Sequence, residues 1–464
     1  MLALLLAACA GQPSMSPQPR PVEPGRLADQ RILTADDAAP EWPAAHWWQV
    51  FADPQLDRLM ALALRDSPSL AQAGARLDLA LAATGGARAA LLPQLDAGAK
   101  LSYERFTELQ FIPPPLGGNR FWNNEAMLRA SLDLDIWGRS RELLAAARDR
   151  GRTAAAEADE TREVLLATLA RTYVQLAQQE ALKRILTETL VAQREIAGLA
   201  RQRLRAGLGT ELELAQAESR LPSSQAELDE IEGAITVTRL QLALLAGQGP
   251  AAAAELHEPT LALMQRPVVP DTLPARWLGR RPDVRAQRWQ VEALGHEVEA
   301  ARRAFYPDIN LSAFAGHVAL GMDDLFSHAS SAYGVAPAIS LPLFEGGRLQ
   351  AGLDARQAQR AAAVAAYNGT LLQAAREVVG LSVTLKSVAA QTEAAGQAVT
   401  LAARADALAR RGLRAGLSDQ SHVLDSQLAL LNERRRLLQA QARWLDAYIG
   451  LARATGGGHD GGVE

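Results

Sequence analysis

The sequence predicts a mainly α-helical chain with four membrane β-strands, arranged as a tandem duplication of long helical hairpins. Three observations predict this fold class. Short motifs recur at a nearly constant spacing, two proline-free stretches are each long enough for a helix of 68 residues, and two segments alternate apolar and polar residues as strands do. A helix of that length spans roughly 100 Å, so a globular domain of this size cannot enclose it.

Composition excludes several other classes of protein. The 464 residues include 48 Lys and Arg against 52 Asp and Glu, and the resulting net charge of −4 excludes a strongly basic nucleic-acid-binding protein. The single cysteine excludes an internal disulfide framework and a cysteine-based zinc cluster. Beyond residue 9 no run of 18 apolar residues occurs, so the sequence predicts no transmembrane helix.

The first residues have the features of an exported protein. Residues 1–8 are typical of the end of a signal peptide, and Leu6-Ala7-Ala8-Cys9 resembles the bacterial lipobox, in which the cysteine is lipidated. Residues 9–52 are predicted to form a linker, because much of this stretch is rich in Pro, Ser, Gly and Asp. The alternative for Cys9 is an ordinary buried cysteine, and we expect lipidation.

Internal repeats divide the chain into two halves. The matching segments are 204–208 with 413–417 and Gly138-Arg139 with Gly347-Arg348, both at an offset of 209, and 90–95 with 304–309 at an offset of 214. We therefore predict a first repeat at 53–246 and a second at 274–453. A linker at 247–273 joins them, and a Gly-rich flexible tail at 454–464 follows.

Each repeat carries the same order of elements. A helical stretch leads into two strands, a very long helix follows, and a further helix returns after an Arg-Ala-Gly break where glycine can cap the helix. The predicted helices, paired between the repeats, are 53–92 and 274–306, 139–206 and 348–415, and 210–246 and 418–452.

The strand segments form two predicted β-hairpins, at about 94–137 and about 308–344. The strand at 94–103 has the period of two that is typical of a half-exposed strand. Its apolar face is Leu95, Ala97, Ala99, Leu101 and Tyr103, and its polar face is Gln94, Asp96, Gly98, Lys100 and Ser102. A second strand is predicted at 125–136. Twelve of the 22 aromatic residues lie in 103–137 and 305–344, as the aromatic girdles of a membrane barrel do.

These strands favour a membrane barrel over a soluble sheet, because their polar faces carry charges and the helices provide no globular core to cover the apolar faces. Four strands cannot close a membrane barrel, since the smallest barrels have about eight. Open sheet edges are not tolerated in lipid. We therefore expect a barrel that is shared between chains, in which three chains provide twelve strands and two chains provide eight.

Four motifs, in order along the chain, carry a resemblance to a known family. They are Trp-Trp-Gln-Val-Phe-Ala-Asp-Pro-Gln-Leu at 47–56, Leu-Gly-Arg-Arg-Pro-Asp-Val-Arg-Ala at 278–286, Ala-Arg-Arg-Ala-Phe-Tyr-Pro at 301–307 and Leu-Pro-Leu-Phe-Glu-Gly-Gly-Arg at 341–348. With these motifs the chain resembles the TolC-like outer-membrane factors, and in particular their OprM-like lipoprotein branch. Gln287 departs from the pattern, because an acidic or small residue is commoner there.

The resemblance implies a homotrimer with a 12-stranded outer-membrane β-barrel and a periplasmic α-barrel, held by lipid in the outer membrane of a Gram-negative bacterium. It implies the exit duct of a tripartite efflux system for drugs or other small molecules. The implied partners are a periplasmic membrane-fusion adaptor and an inner-membrane RND, MFS or ABC transporter. The alternatives are the outer-membrane component of a type I protein secretion system or a periplasmic coiled-coil scaffold or adaptor, which would have no use for the strands.

The resemblance also implies two kinds of site. The family uses the turns at the far end of the long helices to contact the adaptor, and these turns are Arg205-Ala206-Gly207 and Arg414-Ala415-Gly416 here. In the OprM-like branch an aspartate after two apolar residues narrows the periplasmic mouth, and this aspartate matches Asp425. Ser421 lies one helical turn away on the same face. The repeat offset adds Leu212 and Gln216 as the equivalent gate positions of the first half.

No catalytic or metal-binding pattern competes with this interpretation. The seven histidines have no metal-ligand spacing, and the sequence contains no Gly-x-Ser-x-Gly, Walker or dinucleotide motif. We therefore expect no enzymatic activity, no cofactor, no metal and no nucleic-acid partner.

Overall fold

The structure is a computed structural model that describes residues 19–29, 31–35, 42–109, 113–261, 263 and 266–457. The predicted signal peptide end and the lipidation site Cys9 lie outside the described residues, as does the tail beyond residue 457. In chain order the elements are β1 (Leu33–Thr34), α1 (Pro54–Asp66), α2 (Pro68–Ala89), β2 (Gln94–Arg105), β3 (Arg120–Asp133), α3 (Arg139–Arg205), α4 (Glu211–Leu245), β4 (Leu273–Pro274), α5 (Pro282–Arg303), β5 (Asp308–Leu320), β6 (Ser331–Ser340), α6 (Arg348–Arg414) and α7 (Gln420–Ala454).

The duplication is visible in the lengths of the helices. The helices α3 and α6 have 67 residues each, and α4 and α7 have 35 residues each. Both ends of α6 and α7 lie 209 residues after the corresponding ends of α3 and α4. The prediction of tandem long helical hairpins is therefore confirmed, and the offset that was found in short motifs holds for whole helices.

The predicted helical stretches at 53–92 and 274–306 are helical in the structure, and each consists of two segments. The first divides into α1 and α2 at Ser67, which has an extended backbone with ψ 123°. A proline follows Ser67, and the residue before a proline disfavours the helical region. In the second, a short 3-10 helix at Ala275–Arg280 precedes α5, and Pro282 begins α5 because its missing N–H is no loss at a helix start.

The four long strands form one antiparallel sheet in the order β2-β3-β5-β6. The register confirms the predicted alternation, since residues that are opposite one another share a face. One row is apolar and consists of Leu95, Ala130, Ala313 and Val335, whereas the neighbouring row on the other face is Asp96, Arg129, Phe314 and Gly334. The strand β6 is an edge strand, which is the position in a sheet that tolerates Pro337.

The predicted strand at 125–136 is displaced in the structure, where β3 runs from Arg120 to Asp133. Asp135 has a positive φ of 39°, which ends the extended chain. Its carboxylate accepts hydrogen bonds from the backbone N–H groups of Ser140 at 2.8 Å and Arg141 at 3.0 Å. Asp135 therefore satisfies free amides at the start of α3 instead of continuing the strand.

The chain divides into two compact units. The first contains the four-stranded sheet, the beginnings of α3 and α6 and most of α5, within residues 76–155 and 286–367. The second contains α4, α7, the later parts of α3 and α6 and the two turns that join these helices, within residues 22–75, 156–285 and 368–457. Among the described helices, none is both long enough and apolar enough to cross a membrane.

The core of the second unit forms around the first family motif. Phe51 contacts Tyr448 with ring centroids 6.0 Å apart, and Tyr448 stacks on Trp444 at 5.8 Å. The Gln55 side-chain amide donates to the buried Tyr173 hydroxyl at 3.0 Å. Burial raises the pKa of this Tyr173 phenol. The motif at 47–56 therefore fixes the packing of α1 against α3 and α7.

Candidate functional site

Two tight turns join the long helices to the helices that return from them. In the first turn the Leu208 N–H donates to the Arg203 carbonyl at 2.8 Å, and the Gly207 N–H donates to the Leu204 carbonyl at 3.0 Å. These two bonds define a Schellman motif, which satisfies carbonyl groups that the end of a helix leaves free. The motif requires a left-handed residue, and Gly207 has φ 72°.

The second turn repeats the same geometry. The Leu417 N–H donates to the Gly412 carbonyl at 2.8 Å, and the Gly416 N–H donates to the Leu413 carbonyl at 3.1 Å. Gly416 has φ 69°, within a few degrees of Gly207. The two copies of the Arg-Ala-Gly motif therefore produce one backbone shape, which is presented twice by each chain.

All six residues of the predicted docking turns are exposed in this chain: Arg205, Ala206, Gly207, Arg414, Ala415 and Gly416. The leucine after each glycine is also exposed, with Leu208 at 72% and Leu417 at 85%. In a Schellman motif this residue commonly packs on the preceding helix. Sequence reasoning did not single out the two leucines, although their recurrence at the repeat offset was the available signal.

The returning helices begin with different caps. In α4, the Thr210 hydroxyl accepts from the Glu213 N–H at 3.2 Å and the Thr210 N–H donates to the Glu213 carboxylate at 3.1 Å, which is a capping box. In α7, the Asp419 carboxylate accepts from the Ser421 hydroxyl at 2.6 Å and from the His422 N–H at 3.0 Å. These hydrogen bonds, first of all that from Ser421, hold the pKa of Asp419 well below its usual value.

The candidate gate residues lie on α4 and α7, just beyond these caps. Asp425 is exposed, whereas the two apolar residues before it, Val423 and Leu424, are buried. Leu212 and Gln216 are exposed on α4. The Ser421 side chain is half-buried and bound to Asp419. A ring of Asp425 carboxylates requires further copies of the chain, and it stays a prediction.

Ion pairs connect α7 to the first hairpin. Arg435 pairs with Glu227 of α4 at 2.9 Å, and Arg434 pairs with Glu188 of α3 at 3.4 Å. These partners are more than 200 residues apart in the chain, so sequence patterns gave no signal for them. They connect the two repeats within the second unit, at positions that lie farther from the turns along the helices than the candidate gate residues do.

The Arg-Pro-Asp motif of the second repeat forms a buried ionic network. The Arg281 guanidinium binds the carboxylates of Asp283 at 2.8 Å and Glu377 at 2.9 Å, and it donates to the Ala454 carbonyl at 3.0 Å. Burial opposes the positive charge, but the two carboxylates outweigh this effect and raise the pKa of Arg281. Arg453 also pairs with Glu377, so this network joins the start of α5 to α6 and α7.

Within the described residues, no group of three or more His, Cys, Asp or Glu side chains has the geometry to hold a metal ion. The two turns and the starts of α4 and α7 instead present exposed arginines, exposed leucines and single carboxylates. Such a surface can bind another protein and can attract or repel ions.

Comparisons with known proteins agree with this geometry. The family model described as "Outer membrane efflux protein" matches residues 59–248 and 273–457. The fusaric acid resistance protein FusA of Burkholderia cepacia is 38% identical over 360 residues, which cover 77% of this chain and 68% of FusA. The multidrug resistance outer membrane protein MdtQ of Escherichia coli O6:H1 is 31% identical over 467 residues, which cover 99% of this chain and 97% of MdtQ. The crystal structure of the outer membrane protein VceC from Vibrio cholerae matches with a TM-score of 0.82 and 34% identity, over 89% of this chain and 99% of VceC.

Proposed function

Because the chain belongs to the outer membrane efflux protein family, we propose that it is the outer-membrane channel of a tripartite efflux system, through which drugs or other small molecules leave the periplasm. The observation that carries this proposal is the match to VceC, which extends over 99% of that outer membrane protein with a TM-score of 0.82. The match covers 89% of this chain, so it extends well beyond either repeat alone.

The proposed working form is a homotrimer. The four-stranded sheet has free edges at β2 and β6, and a sheet with free edges needs partner strands in lipid. Three copies provide twelve strands, an even number within the range of known barrels. In the proposed arrangement the exposed apolar row that contains Leu95 and Val335 faces lipid, and Cys9 carries the lipid anchor.

We assign the two turns to docking and Asp425 to the gate. Three chains present six copies of one turn, each with an exposed arginine and an exposed leucine, to a periplasmic membrane-fusion adaptor. The inner-membrane partner is an RND, MFS or ABC transporter. In this proposal Asp425 and Ser421 on α7, together with Leu212 and Gln216 on α4, narrow the periplasmic mouth. Three exposed Asp425 carboxylates around one axis attract cations and repel one another.

The names of the relatives favour small-molecule efflux over protein secretion. MdtQ is described as a multidrug resistance protein and FusA as a fusaric acid resistance protein. The sheet with one apolar face argues against a periplasmic coiled-coil scaffold. We propose that the chain acts as a channel and not as an enzyme, because the family model that it matches is that of outer membrane efflux proteins.

The function is tested in a strain from which the gene is deleted. The full chain should restore resistance to fusaric acid or other drugs and lower the accumulation of a fluorescent dye. Arg205→Glu with Arg414→Glu should abolish this rescue and adaptor crosslinking while the trimer still forms. The matched control is Arg220→Glu with Arg404→Glu, which changes two exposed arginines away from the turns. Full rescue by the turn variant would contradict the docking role of the turns. A wild-type chain that restores no resistance would contradict the efflux function.

A further inference from the structure

The Gly-Arg dipeptide that recurs in the two repeats has no role in the function proposed above. Arg139 and Arg348 are the first residues of α3 and α6. A cation at this end of a helix opposes the helix dipole, which is positive there. Helix formation therefore does not explain why both repeats begin their long helix with arginine. The two side chains instead share a location, since both line one groove in the first unit.

This groove has a volume of about 410 Å³ and lies among the starts of α3 and α6 and the end of α5. It combines a cationic lining with an apolar one. The lining arginines are Arg139, Arg150, Arg348 and Arg356, and the apolar lining includes Leu143, Ala300, Leu349 and Leu353. A pocket with this double character suits a ligand that has an anionic head and an apolar body.

Carboxylates balance only part of the positive charge. The Glu297 side chain is 5% exposed and pairs with both Arg150 and Arg356, the latter at 2.7 Å. Arg348 pairs with Glu345, in the turn before α6. Arg139 forms no ion pair with the residues that the structure describes. The groove is therefore lined by four arginines and one carboxylate, Glu297, and it keeps a net positive charge even when Glu345 beside it is counted.

Arginine binds phosphate particularly well, because its planar guanidinium offers two parallel N–H groups to two phosphate oxygens. We propose that this groove binds a phosphate group, and that the headgroup of an anionic phospholipid carries it. This proposal rests on the function proposed above, in which the strands lie in the membrane. The same phosphate chemistry could come from a free inorganic anion, and the experiment below separates the two sources.

The position of the groove along the chain favours the lipid. The strands β3 and β6 end at Asp133 and Ser340, so Arg139 and Arg348 follow the strand ends by one short segment each. These two segments carry large exposed apolar side chains, namely Ile136, Trp137, Leu341, Leu343 and Phe344. Leu343 is 88% exposed and Phe344 is 86% exposed. Apolar and aromatic groups next to arginines are the composition of a membrane–water interface.

The experiment measures lipid that stays with the purified full chain. Protein extracted in mild detergent is mixed with 1-palmitoyl-2-oleoyl-phosphatidylglycerol, washed by gel filtration and examined by native mass spectrometry. Arg139→Gln with Arg348→Gln should lower the retained phosphatidylglycerol at least fivefold. The matched control is Arg148→Gln with Arg404→Gln, which removes one exposed arginine from each of the same helices outside the groove. Equal retention in all three proteins overturns the proposal.

A second variant leaves every arginine in place. Gly352 lines the groove, and a Cβ atom added there meets no atom within 4 Å. Gly352→Asp should therefore fold and repel the lipid phosphate, whereas Gly380→Asp, at an equally open position of α6, should retain lipid normally. Binding of inorganic phosphate to the wild-type protein in the absence of retained lipid assigns the groove to a free anion and overturns the lipid assignment. Lipid retention in a protein that fails to conduct or to restore resistance contradicts the proposed function alone.

Discussion

Arg410 on α6 donates a hydrogen bond to the side chain of Gln427 on α7 at 3.2 Å. The equivalent residues of the first repeat, Arg201 and Glu218, form an ion pair at the same place between α3 and α4. The two partners are 17 positions apart in both repeats. In the second repeat the charge of Arg410 is met by Asp406, one helical turn away at 2.8 Å. The two hairpins therefore have the same side-chain contact between their helices. It is an ion pair in the first repeat and a hydrogen bond to a neutral amide in the second.

We expect Gln427→Glu to convert the hydrogen bond between Arg410 and residue 427 into an ion pair. Arg410 is half exposed, so the gain in the free energy of unfolding should stay below about 1 kcal/mol and should fall as salt is added. A double-mutant cycle with Arg410→Ala measures the interaction free energy. Glu218→Gln in the first repeat is the matched control and should lose a similar amount. If the interaction free energy from this cycle does not change when salt is added, the new carboxylate does not pair with Arg410.

The candidate gate makes a prediction about conductance. Asp425→Ala should raise the single-channel conductance in planar bilayers and weaken the block by divalent or hexammine-type cations, because it removes a ring of three carboxylates from the proposed trimer. Ser421→Ala should have a smaller effect, since the Ser421 hydroxyl is bound to Asp419.

The control for the gate is Glu230→Ala, which removes an exposed carboxylate from α4 farther from the turn. Its conductance and its cation block should equal those of the wild-type channel. If Asp425→Ala also behaves like the wild type in both measurements, the constriction lies elsewhere in the channel.

The helical hairpins were predictable because their signals are local. The repeat offset of 209 and the absence of proline located α3 and α6, and the Arg-Ala-Gly motif located both turns. The strand β3 was placed too far along the chain, since period-two alternation continues through Ile136. Asp135 is on the polar side of that pattern, and only the structure shows that its carboxylate caps α3.

Long-range pairs could not be predicted in the same way. The partners Arg281 and Glu377 are 96 residues apart, and no periodicity links them. The same holds for the groove at Arg139 and Arg348, because a repeated motif does not reveal that its two copies meet. The candidate gate and docking residues were chosen through family resemblance, and the structure adds their exposure and hydrogen bonds.

A methyl group at either turn glycine should destabilise the protein through the backbone alone. Gly207 and Gly416 have φ 72° and 69°, and a Cβ atom at either position meets nothing within 4 Å. Gly→Ala at each turn should therefore cost about 1 kcal/mol through backbone strain alone. Gly198→Ala is the matched control, since Gly198 lies in the interior of α3 with equal space and should gain up to about 1 kcal/mol. Chemical denaturation of the purified protein measures both. A stabilised turn variant would contradict the left-handed conformation.

A buried carboxylate predicts how stability depends on pH. Glu163 on α3 is 4% exposed, and burial raises its pKa to about 7. Arg162 and Arg453 oppose this shift, whereas Glu160 and Asp159 add to it. The unfolded chain has a glutamate pKa of about 4.3. Between these two values the native protein holds a proton that the unfolded chain has lost, so the free energy of unfolding falls as the pH rises from about 4.3 to about 7.

Glu163→Gln removes this titration and keeps the shape of the side chain. At pH 8 the variant should be more stable than the wild type by at most about 4 kcal/mol, because it no longer buries a charge with incomplete partners. The advantage should shrink as the pH falls and vanish near about pH 3, where the wild-type carboxyl is protonated in both states. Thermal unfolding of the purified protein, followed by tryptophan fluorescence at both pH values, measures the difference. Glu157→Gln, an exposed position of the same helix, is the control and should shift the midpoint equally at the two pH values. A Glu163→Gln variant that is less stable than the wild type at pH 8 would mean that the ionised carboxylate is well paired in the native protein.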